Sequence, residues 1–435
     1  MKLFGSSGIR GEFNKDITPE LVFKIGQAVG NLYDEAVVGW DARTTSPLLA
    51  KSAVSGLLYA GSNAYVAGMV TTPTLASAAK DLKAGIMITA SHNPPTDNGV
   101  KLWNPDGSSF GSRQMEEVEE LLFRERIPTA AWNQVGKLQT IDWATERHAS
   151  RIAEQIGDLN AKVVVDCGNG ASSVITPYLL RKLGCEVTTL NAHPDGSFPG
   201  RSSEPTKENT QLLAKCVVET GADIGIAHDG DGDRTVAVDE KGNFADGDAL
   251  MPLLCKLEGK TKVVVPINAT MAVDKYLDGV DVVRCKVGDV FVSEKIKEVN
   301  ADFGGEPSGT WVFPRSFLCP DGIFAAARLV QIVQERPLSE RLAEIPRFSV
   351  IRERVPLDPA RRDDAMLRIG EGLKALDPNE LSDMDGYRVV FHNGWILLRP
   401  SGTEPKLKIV IEGDTKEDAE ALYQKAMSVV KGVLG

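Results

Sequence analysis

Asp229-Gly230-Asp231-Gly232-Asp233-Arg234 is the stretch that decides how this chain is interpreted. It follows the apolar run 222–227, which predicts a buried strand that ends in an acidic turn. Three carboxylates this close repel one another unless a cation lies between them. Hard oxygen ligands suit Mg²⁺, which binds few protein carboxylates and completes its coordination with water or a phosphate oxygen. The glycines permit a tight turn. Asp229, Asp231 and Asp233 are therefore predicted metal ligands.

Two other structures are compatible with the acidic run, namely a solvated acidic turn and a weak calcium loop. An EF-hand loop needs a glutamate at its twelfth position, and counting from Asp229 places Glu240 there. The flanking helices of an EF-hand are missing, however, because 236–238 predicts a strand. The sequence thus favours a metal site of another kind.

The whole chain has the composition of an ordinary soluble protein, with 435 residues, 42% hydrophobic and 25% charged. Its length predicts roughly three or four domains. No apolar run approaches the ~20 residues that span a bilayer, and no signal-peptide pattern opens the chain. With six scattered cysteines and no C-x-x-C pair, we expect a cytoplasmic protein with reduced thiols. The net charge of −11 argues against nonspecific nucleic-acid binding, but a local positive site for an anionic substrate stays possible.

Strand-like apolar runs alternate with helix-like segments through the first three-quarters of the chain. This alternation predicts βαβ units with mostly parallel sheets. Thr18-Pro19-Glu20 predicts a helix start, because a hydroxyl cap precedes proline at the first helical position. The last ~85 residues differ and predict an α+β unit, with a hairpin at His392-Asn393-Gly394. Boundaries are expected near 140–150, 240–250 and 345–350.

Ser91 lies in Thr89-Ala90-Ser91-His92-Asn93-Pro94-Pro95, which follows the predicted strand 84–89. Open α/β sheets bind ligands beyond the carboxyl ends of their strands. A hydroxyl there can act as a nucleophile or carry a phosphate, and Lys101 follows after a turn. The alternative is a plain connection in which Ser91 and Asn93 bond to the backbone.

Three further loops combine glycine with polar groups. Glu306 and Ser308 stand among glycines in 304–309, which suits a loop that contacts sugar hydroxyls. The segment 399–406 joins an arginine to hydroxyls and glycine, and could ring a phosphate. The segment 4–11 surrounds Arg10 with glycine and serine but matches no nucleotide-binding fingerprint. The first loop could instead be a polar turn, and the second a hairpin loop with solvated charges.

No single loop decides the function, but the set and its order do. Five segments occur once each, in this order: Ser7-Gly8-Ile9-Arg10-Gly11, Thr89-Ala90-Ser91-His92-Asn93-Pro94, Asp229-Gly230-Asp231-Gly232-Asp233-Arg234, Gly305-Glu306-Pro307-Ser308-Gly309 and Arg399-Pro400-Ser401-Gly402-Thr403-Glu404-Pro405. This set resembles the α-D-phosphohexomutase superfamily from end to end. The resemblance implies three related α/β domains with mixed sheets and a smaller C-terminal α+β domain around a central cleft, at 1–145, 146–243, 244–347 and 348–435.

The resemblance also implies the role of each site residue. The implied catalytic residues are Ser91 as phosphoryl carrier, Lys101 for proton transfer, and Arg10 and His92 near the reacting phosphate. The implied Mg²⁺ ligands are Asp229, Asp231, Asp233 and an oxygen of phosphorylated Ser91. The implied substrate contacts are Arg234, Glu306, Ser308, Arg399, Ser401, Gly402 and Thr403. The expected reaction moves a phosphoryl group between C6 and C1 of a hexose phosphate through a hexose 1,6-bisphosphate, which also primes the enzyme.

Specificity is expected to follow from Lys286-Val287-Gly288-Asp289, which resembles the corresponding loop of phosphoglucosamine mutases. Asp289 could face the ammonium of glucosamine. Phosphomannomutase/phosphoglucomutase activity and a Mg²⁺-dependent sugar phosphatase are the alternatives, and a non-catalytic sugar-phosphate-binding protein is a further one. Thr310 stands where many members have histidine, and Pro307 is uncommon within its motif. We expect a monomer or homodimer that binds a small sugar phosphate and neither nucleic acid nor membrane.

Overall fold

The computed structural model describes residues 3–5, 8–401 and 405–435. Within that part of the chain the strands form four sheets, which follow one another along the sequence. Three sheets combine parallel and antiparallel pairs, and the C-terminal sheet is antiparallel. The predicted fold class, three mixed-sheet α/β units followed by an α+β unit, is confirmed.

The first unit carries Ser91 and Lys101. Its strands are β1 (Ile9–Glu12), β2 (Glu35–Trp40), β3 (Asn63–Met69), β4 (Gly85–Ile88), β5 (Asp97–Trp103) and β6 (Leu138–Thr140), and its helices are α1 (Pro19–Leu32), α2 (Ser46–Ala60), α3 (Thr72–Ala79) and α4 (Ser112–Leu122). Thr18 caps α1 and accepts a hydrogen bond from the Leu21 amide, as predicted. The strand order is β1-β5-β4-β2-β3-β6.

The second unit carries the acidic run. Its helices are α5 (Ala144–Ile156), α6 (Thr176–Lys182) and α7 (Gln211–Thr220), and its strands are β7 (Lys162–Asp166), β8 (Glu186–Leu190), β9 (Ile224–His228), β10 (Thr235–Asp239) and β11 (Phe244–Ala245). The strand order is β11-β10-β9-β7-β8. Valine and isoleucine fill β7 and β9, which is typical of central strands buried on both faces.

The third unit carries Glu306. Its helices are α8 (Gly247–Glu258), α9 (Ala272–Tyr276), α10 (Asp289–Val299), α11 (Gly322–Glu335) and α12 (Leu338–Ala343), and its strands are β12 (Lys262–Pro266), β13 (Asp281–Cys285), β14 (Phe303–Glu306), β15 (Thr310–Phe313) and β16 (Phe317–Pro320). The strand order is β13-β12-β14-β15-β16. One continuous hydrophobic core, from Ala149 to Ile345, joins the second and third units.

The first three units repeat one strand arrangement. In each, a central strand pairs in parallel with the next two strands, and the second of these pairs antiparallel with its successor. The central strands are β2, β7 and β12. This shared topology confirms the relation between the α/β units.

The fourth unit is antiparallel and packs two helices on its sheet. Its strands are β17 (Ser349–Pro356), β18 (Glu380–Ser382), β19 (Tyr387–Phe391), β20 (Gly394–Pro400) and β21 (Lys406–Gly413), and its helices are α13 (Arg362–Lys374) and α14 (Lys416–Leu434). The predicted hairpin at 392–394 connects β19 to β20. The strand order is β17-β21-β20-β19-β18.

The helices and the cysteines bear on where the sequence predicts the protein to act. Among the described residues, no helix is both long and apolar enough to cross a membrane. The six cysteines are free thiols, and all except Cys216 are buried.

Candidate active site

The acidic run forms the centre of the site. Asp229, Asp231 and Asp233 lie in the turn between β9 and β10, and all three are buried. One carboxylate oxygen from each lies within 4.8 Å of the others. Strands on both sides exclude the EF-hand alternative, and burial excludes a solvated turn.

Asp231 shows that this cluster fits a hard cation. Its Oδ2 atom accepts hydrogen bonds from Thr72 Oγ1 at 2.5 Å and from Lys101 Nζ at 2.7 Å. Its Oδ1 atom is buried and has no hydrogen-bond partner among the described residues. A buried carboxylate oxygen without a partner is costly, and oxygen ligands of this kind suit Mg²⁺. The donor set therefore fits the predicted metal.

The pKa values show how strained this cluster is electrostatically. Burial raises the pKa of Asp229 well above its usual range, and the Asp231 and Asp233 carboxylates raise it further. Burial also opposes ionisation of Asp231, but Lys101 and the Thr72 hydroxyl outweigh it and hold that pKa below its usual range. Without a cation, negative charge at Asp229 is therefore strongly disfavoured.

Ser91 reaches this cluster from the first unit. Its buried hydroxyl donates to Asp229 Oδ2 at 2.7 Å and lies 3.2 Å from His92 Nδ1. The backbone of Ser91 has φ +52°, which is uncommon for a residue other than glycine. Strain of this kind concentrates at functional sites. Gly230 permits the close approach, because a Cβ atom there would lie 2.5 Å from the Ser91 carbonyl oxygen.

Arg43 holds the strained Ser91 loop in place. Its guanidinium group is fully buried and donates to Asp41 and to the carbonyl oxygens of Ser91, Asn93, Pro94 and Asp97. Asp41 also accepts from Thr89 Oγ1, which in turn accepts from the Ser91 amide.

Asp41, Arg43, Thr72 and Thr89 were not among the predicted site residues. Asp41 and Arg43 directly follow β2, and Thr72 follows β3 after a short loop. The sequence indicated these residues only by their position after a predicted parallel strand. Many loops without a function share that position.

We expect Arg43→Lys to destabilise the protein by about 2 kcal/mol, because one ammonium cannot replace a forked guanidinium that satisfies several buried carbonyls. Urea unfolding measures the change. Arg147→Lys is the matched control, since Arg147 forms a half-exposed ion pair with Asp81, and a change below about 0.5 kcal/mol is expected there. Equal effects of the two substitutions would contradict the assigned role of Arg43.

Four basic side chains surround the Ser91 hydroxyl and the acid cluster. Lys101 Nζ also donates to Asp233 Oδ2 at 2.6 Å. Burial opposes its charge, but Asp231 and Asp233 prevail and raise the pKa of Lys101. Arg10 Nε is buried without a hydrogen-bond partner in the described part of the chain, and Arg234 Nη1 lies 3.4 Å from Glu204. Burial lowers the pKa of His92 to about 2, and the cations Arg234, Arg10 and Lys101 act in the same direction.

His92 is therefore neutral in this structure. The sequence placed it among the basic residues near the phosphate, and its position beside Ser91 agrees with that location. Its charge does not, because three neighbouring cations and burial disfavour the protonated ring.

The residues that are predicted to contact sugar hydroxyls lie on the third unit. Glu306 is the last residue of β14, so the expected loop is confined to 307–309. Its Oε1 atom accepts from the Gly288 amide at 2.8 Å. Burial and the Asp289 carboxylate raise the pKa of Glu306 to about 7. Ser308 Oγ lies 3.0 Å from Thr310 Oγ1, so the residue that replaces the common histidine supports Ser308 directly.

The fourth unit contributes Arg399 and Ser401. Arg399 lies near the end of β20, and its Nη1 atom donates to Asp385 Oδ2 at 2.8 Å. Ser401 is buried, and its amide donates to the Lys406 carbonyl at 2.8 Å. Gly402 and Thr403 lie outside the described residues. Gly288 and Asp289, the predicted specificity residues, stand at the start of α10.

A serine hydroxyl bonded to a cation-fitting acid cluster and surrounded by cations is suited to handling phosphoryl groups. On repeated α/β units with these loops, it defines a phosphoryl-transfer enzyme. Family models for phosphoglucomutase/phosphomannomutase match residues 1–128 (alpha/beta/alpha domain I), 143–242 (domain II), 246–348 (domain III) and 355–428 (C-terminal domain). The chain belongs to the phosphoglucomutase/phosphomannomutase family.

Two curated relatives of this chain share one name. One, from Methanosarcina acetivorans, is named "Probable phosphoglucosamine mutase" and is 47% identical, with 100% of each chain covered. Another of that name, from Pyrococcus furiosus, is 42% identical and covers 99% of this chain and 98% of its own. A solved phosphoglucomutase/phosphomannomutase family protein from Burkholderia thailandensis is 27% identical, covers 99% of this chain and 97% of its own, and superposes with a TM-score of 0.86.

Proposed function

We propose that this protein interconverts glucosamine 6-phosphate and glucosamine 1-phosphate through a phosphoserine at Ser91. The observation that carries the proposal is the 2.7 Å bond between Ser91 Oγ and Asp229 Oδ2, residues 138 positions apart. This bond brings the Ser91 hydroxyl next to the acid cluster. The other hydroxyl of the loop, that of Thr89, is held by hydrogen bonds to Asp41 and from the Ser91 amide. The names of the curated relatives support the same reaction.

Asp229, Asp231 and Asp233, with an oxygen of phosphorylated Ser91, are the proposed ligands of Mg²⁺. When bound, Mg²⁺ supplies positive charge that stabilises the transferring phosphoryl group. Thr72 and Lys101 occupy Oδ2 of Asp231 and leave Oδ1 for the ion.

The other residues of the first two units bind and orient the phosphoryl group. Arg10 offers a buried N–H that has no hydrogen-bond partner among the described residues, and Arg234 adds a second guanidinium group suited to phosphate oxygens. Asp231 and Asp233 hold Lys101 protonated. We propose that Lys101 gives a proton to Ser91 Oγ as the phosphoryl group leaves, while the attacking sugar hydroxyl loses its own proton to solvent. The returning transfer reverses both proton movements. Neutral His92 is proposed to orient the hydroxyl through Nδ1.

The other end of the substrate is proposed to contact the third and fourth units. Arg399, Ser401, Gly402 and Thr403 would hold the non-reacting phosphate, while Glu306 and Ser308 contact sugar hydroxyls. Transfer from phosphoserine to either sugar phosphate gives a hexose 1,6-bisphosphate. That intermediate must reverse its orientation and return its other phosphoryl group to Ser91. One clamp therefore serves both half-reactions, and the bisphosphate also primes dephosphorylated enzyme.

Glucosamine is favoured because two buried carboxylates, Glu306 and Asp289, lie close enough for Asp289 to raise the pKa of Glu306. A substrate ammonium between them would relieve this repulsion. Gly288 keeps the two carboxylates near each other, because its amide donates to Glu306 and Asp289 is the next residue in the chain.

This pair predicts a pH dependence of sugar selectivity. Glu306 is neutral below pH 7 and gains its charge as the pH rises through about 7. We therefore expect the ratio of kcat/KM for glucosamine 6-phosphate to that for glucose 6-phosphate to rise from about pH 6 to about pH 7.5. The ratio cancels ionisation of the shared phosphate. Glu306→Gln should flatten the profile, and an unchanged profile in that variant would exclude Glu306 as the cause.

A coupled assay with glucosamine, glucose and mannose 6-phosphates, each primed with the matching bisphosphate, tests the proposed function. Highest kcat/KM for glucosamine is expected, and Asp289→His should reduce that preference. A preference for glucose or mannose would assign phosphoglucomutase or phosphomannomutase activity instead. Stoichiometric release of inorganic phosphate without interconversion would assign a sugar phosphatase.

Several coarser proposals accompany this one. We propose domain boundaries at 1–145, 146–243, 244–347 and 348–435, for which the family models at 1–128, 143–242, 246–348 and 355–428 give support. A cytoplasmic monomer or homodimer that binds a small sugar phosphate and no nucleic acid is the state in which we expect the protein to act.

A further inference from the structure

Asp385 joins the fourth unit to the third at the edge of the candidate site. It lies in the turn between β18 and β19. One of its carboxylate oxygens, Oδ2, accepts from Arg399 Nη1 at 2.8 Å and from the Val287 amide at 3.1 Å. A single atom of the fourth unit thus contacts both the arginine of the proposed phosphate clamp and the loop that precedes α10.

The turn that carries Asp385 is built against the strand that carries Arg399. Gly386 has φ +77°, and a Cβ atom there would lie 2.4 Å from the Leu398 carbonyl oxygen and 2.8 Å from the Arg399 Cα atom. Only glycine combines this conformation with so close an approach. The pair is shielded, because the side chains of Asp385 and Arg399 are 23% and 16% exposed. Its geometry is therefore fixed on the fourth unit.

The amides of two consecutive residues, Val287 and Gly288, donate to two different carboxylates. The Val287 amide donates to Asp385, and the next amide, of Gly288, donates to Glu306. The Val287 side chain also packs against an apolar cluster that spans the two units, Ile267, Met271, Trp395 and Leu397. Any shift of this peptide would therefore move the sugar-reading carboxylate and the clamp together.

We propose that Asp385 is a positioning residue that orients Arg399 and couples the phosphate clamp to the loop before α10, whose Gly288 amide holds Glu306. The inference rests on the proposed function. A guanidinium group has five N–H donors in one rigid plane, so fixing one edge on Asp385 directs the remaining donors toward the phosphate. Because Asp385 also holds the Val287 amide, a bound phosphate fixes the fourth unit relative to Glu306. This coupling retains the bisphosphate while it reverses its orientation.

The test compares Asp385→Ala with a second contact between the same two units. Lys275 and Asp414 form an ion pair of 2.6 Å across them. Within the described part of the chain, no hydrogen bond or ion pair joins either residue to Arg399, whose ion pair is with Asp385. We expect Asp385→Ala to raise KM by roughly 10-fold or more and kcat to fall less, because substrate binding is weakened more than chemistry. Escape of labelled bisphosphate per turnover should rise by a similar factor. Asp385→Asn, which keeps an acceptor oxygen, should recover part of the loss, and Asp414→Asn should change KM less than about 2-fold.

A double-mutant cycle with Arg399→Ala separates orientation from simple docking. If Asp385 acts through Arg399, the fold-increase in KM of the double variant should be much smaller than the product of the fold-increases of the two single variants. Multiplicative effects, or equal effects of Asp385→Ala and Asp414→Asn, would overturn the inference and leave the proposed function intact. Wild-type protein without interconversion would overturn the proposed function. In that case, calorimetric binding of glucosamine 6-phosphate would test the inference. An unchanged Kd in Asp385→Ala would overturn it.

Discussion

Ser91→Ala is expected to reduce mutase turnover by about three orders of magnitude or more, because it removes the only proposed covalent carrier. The coupled assay with glucosamine 6-phosphate and its bisphosphate measures the loss. Thr89 is the nearest other hydroxyl, but it is fully buried and committed to Asp41 and the Ser91 amide. It is therefore not expected to replace Ser91.

Ser91→Gly provides the control for folding. Alanine retains the unfavourable φ of +52° at this position, whereas glycine adopts it without strain. Thermal unfolding should therefore show Ser91→Gly to be at least as stable as Ser91→Ala. Both variants should lack turnover equally. Near-normal turnover in either would require another carrier and would refute the proposed role of Ser91.

Asp229→Asn is expected to abolish the Mg²⁺ response and to stabilise the metal-free protein. Burial and the neighbouring carboxylates raise the pKa of Asp229, so the folded protein disfavours this charge when no cation balances it. Removing the charge should raise the Tm of the chelator-treated protein. Wild-type protein should gain roughly 2.7 kcal/mol at a Mg²⁺ concentration of 100 Kd. The variant should gain almost nothing and lose about three orders of magnitude in turnover.

Asp281→Asn separates this effect from a general change in net charge. The Asp281 side chain is 64% exposed and lies 3.9 Å from Lys262, so its removal should leave both Tm and the Mg²⁺ response nearly unchanged. A metal-free Asp229→Asn protein that unfolds at a lower temperature than metal-free wild type would contradict the account of the cluster. Calorimetric Mg²⁺ binding by that variant with unchanged Kd would contradict its role as a ligand.

Much of the fold and the centre of the site could be predicted from local patterns. The mixed character of the sheets was implied by the family resemblance. The alternation of strands and helices predicted the α/β units, and the acid run at the end of β9 predicted the cation-fitting cluster. Both signals are short-range, because strand periodicity and a glycine-rich acidic turn are written in neighbouring residues. The position after a strand marked Ser91 as a possible nucleophile, and the resemblance implied its role as phosphoryl carrier. The structure places its hydroxyl 2.7 Å from Asp229.

The supporting contacts could not be predicted, because they join residues distant in sequence. Thr72 contacts Asp231 across 159 positions, and Asp385 contacts the Val287 amide across 98. A single threonine or aspartate carries no local pattern that distinguishes it from a turn or cap residue. The neutrality of His92 was equally inaccessible, since it depends on burial and on three cations that converge only in the folded chain.

The most direct test of the central claim is to follow a ³²P label from glucosamine 6-phosphate during turnover. The account predicts that the label appears on Ser91 in rapidly quenched, digested protein, and that unlabelled substrate removes it at a rate at least equal to kcat. A protein that interconverts the two sugar phosphates while Ser91 never carries label would contradict it.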